Sequence, residues 1–301
     1  MRDKIGSYNE VVERNIGIIS EDDQQKIRNT TVGVVGVGGC GGLTSVLLAK
    51  MGFGKIIIYD NDRYEISNLN RQMLATVDTV GRHKAEVAGE VLKLHNPYVE
   101  VEAHVNYLKS TEEIVDAFKD VNVIIITVDN MSTIVKIVRA AKLLNIPAII
   151  TGPFGWKCFV SVVDPNGMDY EAISCPISFR KELTDDVVKQ VNLFQRDFLF
   201  NTCGFTSEAS VKMRELDEPI VTFAPVVNLA STTAVLELVK LVTGKGVTYK
   251  FPQYFTMDLL TGEGWSVQEV GMKSISTYKQ RGFKKMKLAV CKKGGPYDNY
   301  S

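Results

Sequence analysis

The residues of this chain whose types and spacing could do chemistry lie in a few short stretches, and the first is a glycine turn. Gly36-Val37-Gly38-Gly39-Cys40-Gly41 rounds off the apolar run Thr31–Val37 and leads into the helical stretch Leu43–Met51. Glycine lets a backbone turn tightly and lets a phosphate come close, while the helix that follows offers free N–H groups and a positive dipole end. A second apolar run, Lys55–Tyr59, ends in Asp60. An acid at that distance can accept hydrogen bonds from ribose hydroxyls. The pattern points to a bound nucleotide. The plain alternative is a set of glycines used only for packing.

The residues that follow bear on which nucleotide. Asn68-Leu69-Asn70-Arg71-Gln72 comes after the second run, and Lys84 opens the next helical stretch. Asn70, Arg71 and Lys84 beside a phosphate turn give more cationic grip than a pyrophosphate needs, and a triphosphate would use it. The run Val121–Val128 ends at Asp129-Asn130. A carboxylate at the C-terminal edge of a strand, next to phosphates, is placed to hold Mg2+. Asp129 could equally N-cap the following helix, and the two roles are compatible. Two other classes stay open: a nicotinamide-dependent oxidoreductase, which would need a hydride site and NAD, and a nucleotide-binding scaffold without turnover.

These residues need elements to position them, and the hydrophobic pattern supplies them. Short apolar runs at Thr31–Val37, Lys55–Tyr59, Val99–Val105, Val121–Val128 and Pro147–Thr151 alternate with helical stretches at Leu43–Met51, Lys84–Leu94, Glu112–Phe118 and Thr133–Leu144. Strand and helix in turn predict an α/β chain with a doubly wound, Rossmann-like, mostly parallel sheet. Before it, residues 1–30 read as an N-terminal helical arm, with a helix start at Ser20-Glu21-Asp22-Asp23. The ATP-binding domain is expected over 31–165. Residues 166–301 read as a smaller mixed α/β part: a strand at Lys157–Val163 leads into it across the turn Asp164-Pro165-Asn166-Gly167. It then has a helix at Asp185–Phe198, a polar stretch over Ser207–Pro219, a long apolar helix at Ala224–Gly244 and a late strand at Tyr254–Asp258. Arg281–Lys293 carries six basic residues and no acid, and reads as a solvated tail.

Composition narrows the class. The chain has 301 residues, 45% of them hydrophobic and 23% charged, which excludes a disordered, collagen-like or disulfide-stapled chain. Lysine plus arginine and aspartate plus glutamate both number 35, so no bulk basic field points to DNA or to a membrane. The five cysteines form no Cys-x-x-Cys pair and are odd in number, which argues against a disulfide framework or a four-cysteine zinc site. No run of 18 apolar residues and no signal-peptide core is read, so a reduced, cytoplasmic compartment is expected.

Taken in order, Gly-x-Gly-Gly-x-Gly, acid-x-Asp (Asp60 and Asp62), Asn-Leu-Asn-Arg-Gln, Gly-x-x-Lys and Asp-Asn resemble the ThiF/MoeB/HesA family, the bacterial relatives of ubiquitin-activating enzymes. The resemblance covers roughly residues 8–165 and resumes from Phe223-Ala224-Pro225 through Gly244. It implies Mg2+- and ATP-dependent adenylation of a carboxylate, the expected substrate being the C-terminus of a ubiquitin-like or sulfur-carrier protein and the alternatives a ribosomal peptide, a tRNA-linked acid or a small metabolite. It implies that Gly36, Gly38, Gly39 and Gly41 line the phosphates and that Asp60 holds the ribose. Asn70, Arg71 and Lys84 hold the triphosphate, Asp129 binds Mg2+, and Asp62, Gln72 and Asn130 complete the nucleotide site. Arg14 matches the arginine that family members reach across a dimer interface, so a homodimer is expected. The sequence departs from the family in two places. Cys175-Pro176-Ile177-Ser178 occupies the place of a zinc-holding Cys-x-x-Cys pair, so no zinc is expected. Glu218–Thr222 replaces the stretch in which many members carry an acyl-accepting cysteine, which leaves Cys203 as a candidate thiol.

Overall fold

Runs rich in valine and isoleucine, buried on both faces, become the centre of one sheet. The computed structural model describes residues 6–202, 208, 209, 213, 221–258, 260 and 266–269. Strands β1 (Thr31–Val35), β2 (Lys55–Tyr59), β3 (Glu100–His104), β4 (Val123–Ile126) and β5 (Ala148–Phe154) run parallel. Strands β6 (Lys157–Val163), β7 (Gln253–Asp258) and β8 (Ser266–Glu269) continue the sheet antiparallel. The spatial order is β3-β2-β1-β4-β5-β6-β7-β8. Its winding reverses at β1, which has β2 on one side and β4 on the other. At such a switch point the C-terminal ends of two adjacent strands part and leave a crevice.

The two-residue period of the strands divides the core. Val32, Val34, Ile56, Ile58, Val123 and Ile125 face one side, and Val35, Ile57, Ile124 and Ile126 the other. The helices, in chain order, are α1 (Tyr8–Val12), α2 (Glu21–Arg28), α3 (Gly39–Met51), α4 (Lys84–His95), α5 (Thr111–Phe118), α6 (Met131–Leu144), α7 (Tyr170–Ser174), α8 (Asp185–Thr202) and α9 (Ala224–Thr243). Helices α2, α3, α4 and α9 cover the first face, and α5, α6 and α7 the second. Helix α8 packs on α6 through Val187, Val191, Met131 and Val135.

Helix α9 is long and apolar enough, by length and composition, to cross a membrane, but 56% of its apolar window is buried in this structure. It lies against α3, β5 and β6 and is a core helix of the sheet. Strands β7 and β8 extend the same sheet, so the division expected after residue 165 separates stretches of chain that share one sheet. Two departures from the expected elements have local causes. Helix α3 begins at Gly39 and not at Leu43, because its glycine-rich first turn is held by packing and not by helix propensity. Helix α7 and strand β8 are too short to leave a periodic signal.

The N-terminal arm docks on the far end of α3. Tyr8 donates from its hydroxyl to the Gly52 carbonyl at 2.8 Å, and Gln24 donates to the Met51 carbonyl at 2.9 Å. Asn15 in turn donates to Gln24 at 3.0 Å. Ser20 and Asp23 form a capping box at the start of α2, and the Asp23 carboxylate also pairs with Lys26 and with Lys245, just past α9. These partners, Lys245 foremost, hold its carboxyl well below the ordinary value of 3.8. A depressed carboxylate pKa contributes stability that is present above the unfolded value and lost as pH falls. Thermal melts of the native chain and of Asp23→Asn should therefore differ most above pH 4 and converge as pH drops toward 2. A difference that stays constant over that range would contradict the charge-based account.

Candidate nucleotide site

Where β1 ends, the backbone turns so sharply that a side chain has no room. Gly36 has a φ of +84°, and a Cβ on it would lie 2.9 Å from Val128 Cγ1. A Cβ on Gly41 would lie 1.8 Å from the Gly36 carbonyl oxygen. Gly38 precedes α3 as its N-cap and offers no capping side chain, so no capping side chain covers the N–H groups of the first turn. Gly39 serves a different purpose, the close approach of α9: a Cβ there would sit 3.0 Å from Val227.

Two neighbouring strands stitch this turn in place. Asp60, at the end of β2, accepts a hydrogen bond from the Val37 N–H at 2.7 Å on one oxygen and from the Asp62 N–H at 2.8 Å on the other. Burial pushes its carboxyl pKa up, against the opposing pull of those two N–H groups and of Lys84. From the other side Thr127, just past β4, shares its hydroxyl between the Val35 and Gly36 carbonyls at 2.9 and 2.6 Å. Tyr64, buried beneath, donates to the Val37 carbonyl at 3.4 Å. Thr127 and Tyr64 escaped the sequence reading, because neither belongs to a motif and both act across the sheet.

The polar side chains predicted for the site fall into three groups. Gln72 is buried against the turn, its Nε2 3.5 Å from where a Gly38 Cβ would be, and its Oε1 has no hydrogen-bond partner. Beside it Arg71 donates from Nη1 to the Ser67 carbonyl and to Asn70 Oδ1, both at 2.8 Å, while Asn70 itself is exposed. Asn68, at the head of that motif, is structural: its Oδ1 accepts from the Glu65 N–H at 3.2 Å. Lys84, only 7% exposed, opens α4 and holds Nζ 3.0 Å from the exposed carboxylate of Asp62.

The third group follows β4. Val35 pairs with Ile126, so Gly36 and the residues after Ile126 leave the sheet side by side. The Asp129 carboxylate is exposed and makes no hydrogen bond or ion pair among the described residues. The capping role considered for Asp129 belongs to Asn130. Its Oδ1 accepts from the Thr133 N–H at 3.1 Å and from the Ser132 and Thr133 hydroxyls at 2.6 and 3.3 Å. That oxygen is committed to α6, and the amide nitrogen is what Asn130 has left for a ligand.

Arg14 is exposed and lies beside Asn15, at the Met51 end of α3. Helix α3 has 13 residues, so Arg14 stands roughly 20 Å from its own glycine turn. Cys203 lies outside the described residues.

The arrangement can be tested against a nucleoside triphosphate and a divalent ion. An unpartnered buried oxygen on Gln72, a turn with no room for a Cβ at Gly36 and Gly41 and an open helix N-terminus fit a nucleotide. Among the described residues no group of three His, Cys, Asp or Glu side chains is placed to hold a metal. A single carboxylate, Asp129, suits a Mg2+ that arrives with phosphates and takes its other ligands from them and from water.

The thiols are differently placed. Cys40 and Cys158 pack together against Val226 and Val227, and burial pushes their pKa values up to about 12 and about 11. Cys175 is buried too, with Ser178 donating to its carbonyl at 3.1 Å where a zinc pair would have its second cysteine.

The ThiF family model matches residues 12–277. The chain belongs to the ThiF family. Among curated proteins it is 42% identical, over 98 residues, to ubiquitin-like modifier-activating enzyme 5 of Drosophila sechellia and of Drosophila simulans. That stretch is 33% of this chain and 24% of each fly enzyme, so the match spans about a quarter of those relatives. Among solved structures, E. coli MccB with AMPCPP and MccA superposes with a TM-score of 0.67 at 22% identity, over 89% of this chain and 74% of that one. PaaA superposes with a TM-score of 0.65 at 20% identity, over 88% and 74%. At these identities the structural likeness establishes the fold: α/β, with a mostly parallel sheet finished by antiparallel strands.

The buried thiols of this ThiF-family chain give a direct check. In native protein at pH 8, iodoacetamide should leave Cys40, Cys158 and Cys175 unmodified, and in denaturant it should modify all three. Peptide mapping by mass spectrometry reads this, and native labelling of Cys40 would show that the glycine turn is not packed as described.

Proposed function

We propose that this chain activates a carboxylate with ATP, forming an acyl adenylate and releasing pyrophosphate. The observation that carries the reading is the meeting, at one sheet switch point, of a glycine turn with no room for a Cβ at Gly36 and Gly41, the Arg71–Gln72 segment and an unpartnered Asp129 carboxylate. Family membership supports it, and so do the relatives: a ubiquitin-like modifier-activating enzyme among curated proteins, and MccB, solved with ATP and with AMPCPP and MccA. A nicotinamide dinucleotide has two phosphates and leaves the combined charge of Arg71, Lys84 and Asp129 without a purpose. The oxidoreductase alternative is the weaker reading.

The chemistry asks for positioning and charge stabilisation. A substrate carboxylate oxygen attacks the α-phosphorus, the bond from that phosphorus to its bridging oxygen breaks, and pyrophosphate leaves with the electron pair. The acid is already ionised at neutral pH, so no general base is required. N–H groups at the start of α3 and the side chains of Arg71 and Lys84 would bind the phosphates, and Asp60 the ribose. Lys84 would exchange its exposed partner Asp62 for phosphate oxygens. Asp129 would hold Mg2+, which supplies charge neutralisation on the phosphates when bound.

The substrate we favour is the C-terminal carboxylate of a polypeptide, a ubiquitin-like or sulfur-carrier protein or a shorter peptide. The named relatives support that class over a small metabolite. Cys203 is carried, on sequence alone, as a candidate thiol for the activated acyl group, since the described thiols are buried and held protonated. Arg14, too far from its own turn, is assigned to the site of a second copy in a homodimer.

Asp129→Ala should reduce ATP–pyrophosphate exchange at least 100-fold while shifting the melting temperature little, because the side chain is exposed and unpartnered. Undiminished exchange would remove its metal role. Arg14→Ala should also lose exchange, and a mixed dimer of Arg14→Ala with Asp129→Ala should recover part of it, because one of its two sites is whole. Verified mixed dimers with no recovery would mean that Arg14 does not act across subunits.

A further inference from the structure

The proposed metal-binding carboxylate is clamped from behind by a helix that no motif connects to it. Asp129 lies in the four-residue passage from β4 to α6, residues 127–130. Thr127 ties the entrance of that passage to the glycine turn. Its exit is tied by Gln195, from the middle of α8. Gln195 Nε2 donates to the Asp129 carbonyl at 2.7 Å, and its Oε1 accepts from the Met131 N–H at 2.8 Å. One carboxamide thus grips the backbone on both sides of Asn130. Asn192, one turn earlier on α8, accepts from the Ser132 N–H at 3.3 Å.

The placement is unusual in what it satisfies. The first N–H groups of a helix lack intrahelical partners, and a capping residue normally serves one of them. Here Asn130 serves Thr133, and the two earlier N–H groups, of Met131 and Ser132, are taken by side chains of α8. Gln195 is half-buried, so water could replace either bond at little net cost. What water cannot replace is the fixed position of Asp129, whose own side chain has no partner to hold it. A carboxylate displaced by about 1 Å from its task can lose on the order of 100-fold in rate.

We infer that Gln195 is a positioning residue that sets where Asp129 presents its carboxylate, and so sets the Mg2+ requirement of nucleotide binding. The inference rests on the assignment of Asp129 to Mg2+. It also makes α8 mechanically continuous with the nucleotide site, since any shift of α8 along α6 moves the grip on Asp129.

The test is calorimetric binding of AMPCPP across a series of Mg2+ concentrations, with native protein, Gln195→Met and Asn192→Leu. Gln195→Met, of similar volume, should raise the Mg2+ concentration for half-maximal binding about tenfold. It should leave affinity at saturating Mg2+ within about threefold of native. Asn192→Leu, which removes a bond of α8 that does not touch Asp129, should leave the Mg2+ requirement unchanged. Amide exchange at Met131, which loses its acceptor, should accelerate in Gln195→Met and confirm that the grip was broken. An unchanged Mg2+ requirement in a folded Gln195→Met protein with accelerated exchange overturns the inference. An equal rise in both variants also overturns it, in favour of general docking of α8. If Gln195→Met does not fold, Gln195→Ala removes the same two bonds and is read the same way. Binding of AMPCPP by the native chain without pyrophosphate exchange for any acid would sink adenylation while still deciding Gln195. No binding of AMPCPP at any Mg2+ concentration would overturn both.

Discussion

Everything at the crevice follows from a contact that permits no Cβ: Gly41 passes so close to the Gly36 carbonyl that a methyl group there would overlap it. That closeness folds the end of β1 directly into α3 and leaves the helix N-terminus pointing out of the sheet. A looser loop could carry the same residues, but it would not hold several N–H groups on one point. The turn is not stable by itself, since glycine loses more backbone freedom on folding than any other residue. Asp60 from β2 and Thr127 after β4 supply the missing restraint, one through N–H groups and the other through carbonyls. The turn is therefore a product of three adjacent strands, and its place at the switch point follows from that.

Charge is arranged with the same economy. Asp60 is the one carboxylate sunk into the floor of the site, and burial alone would favour its neutral form. Two backbone N–H bonds and the nearby Lys84 oppose that without reversing it, and the two N–H bonds fix the carboxyl group beside the glycine turn. Lys84 is itself buried along its stem and committed at its tip to Asp62, which is exposed. An ion pair with one exposed member is weak, and phosphate oxygens can displace it at little cost. The pair keeps the ammonium pointed toward the turn without locking it there.

Much of this was legible in the sequence, for an identifiable reason. Buried parallel strands read as unbroken apolar runs, so β1, β2, β4 and β5 and their intervening helices stood out, and the acids and cations at their C-terminal ends could be assigned to one edge. Legibility failed where a residue acts across the sheet or where cap and ligand roles compete. Thr127 is an ordinary strand-end threonine until its hydroxyl is seen against Gly36. Asp129 and Asn130 are adjacent and both suited to capping, and only the geometry gives the cap to Asn130 and leaves Asp129 open. Gln195 is more than sixty residues from the backbone it grips, and no periodicity or motif marks it. The start of α3 was misplaced because glycine-rich helix turns contradict propensity, and packing against Val227 decides the matter.

Most of the residues that hold this site are distinct from those that would act in it, and Asp60 is the residue that would do both. Asp60, Thr127, Tyr64 and Asn130 spend their polar atoms on backbone groups, and losing one leaves a buried donor or acceptor without a partner. Asp129, Arg14 and Asn70 are exposed, and the side chains of the first two make no hydrogen bond or ion pair among the described residues, so the fold gains little from them. A carboxylate near a helix N-terminus that makes no capping bond gains only the screened attraction of the helix dipole, less than a side chain that caps the helix gains. Asn130 takes that position by its side chain and keeps Asp129 facing outward. That choice is intelligible if the carboxylate is reserved for a cation brought by the ligand. It also means that the fold can tolerate changes at the acting positions, whereas changes at the holding positions alter the scaffold and the chemistry together.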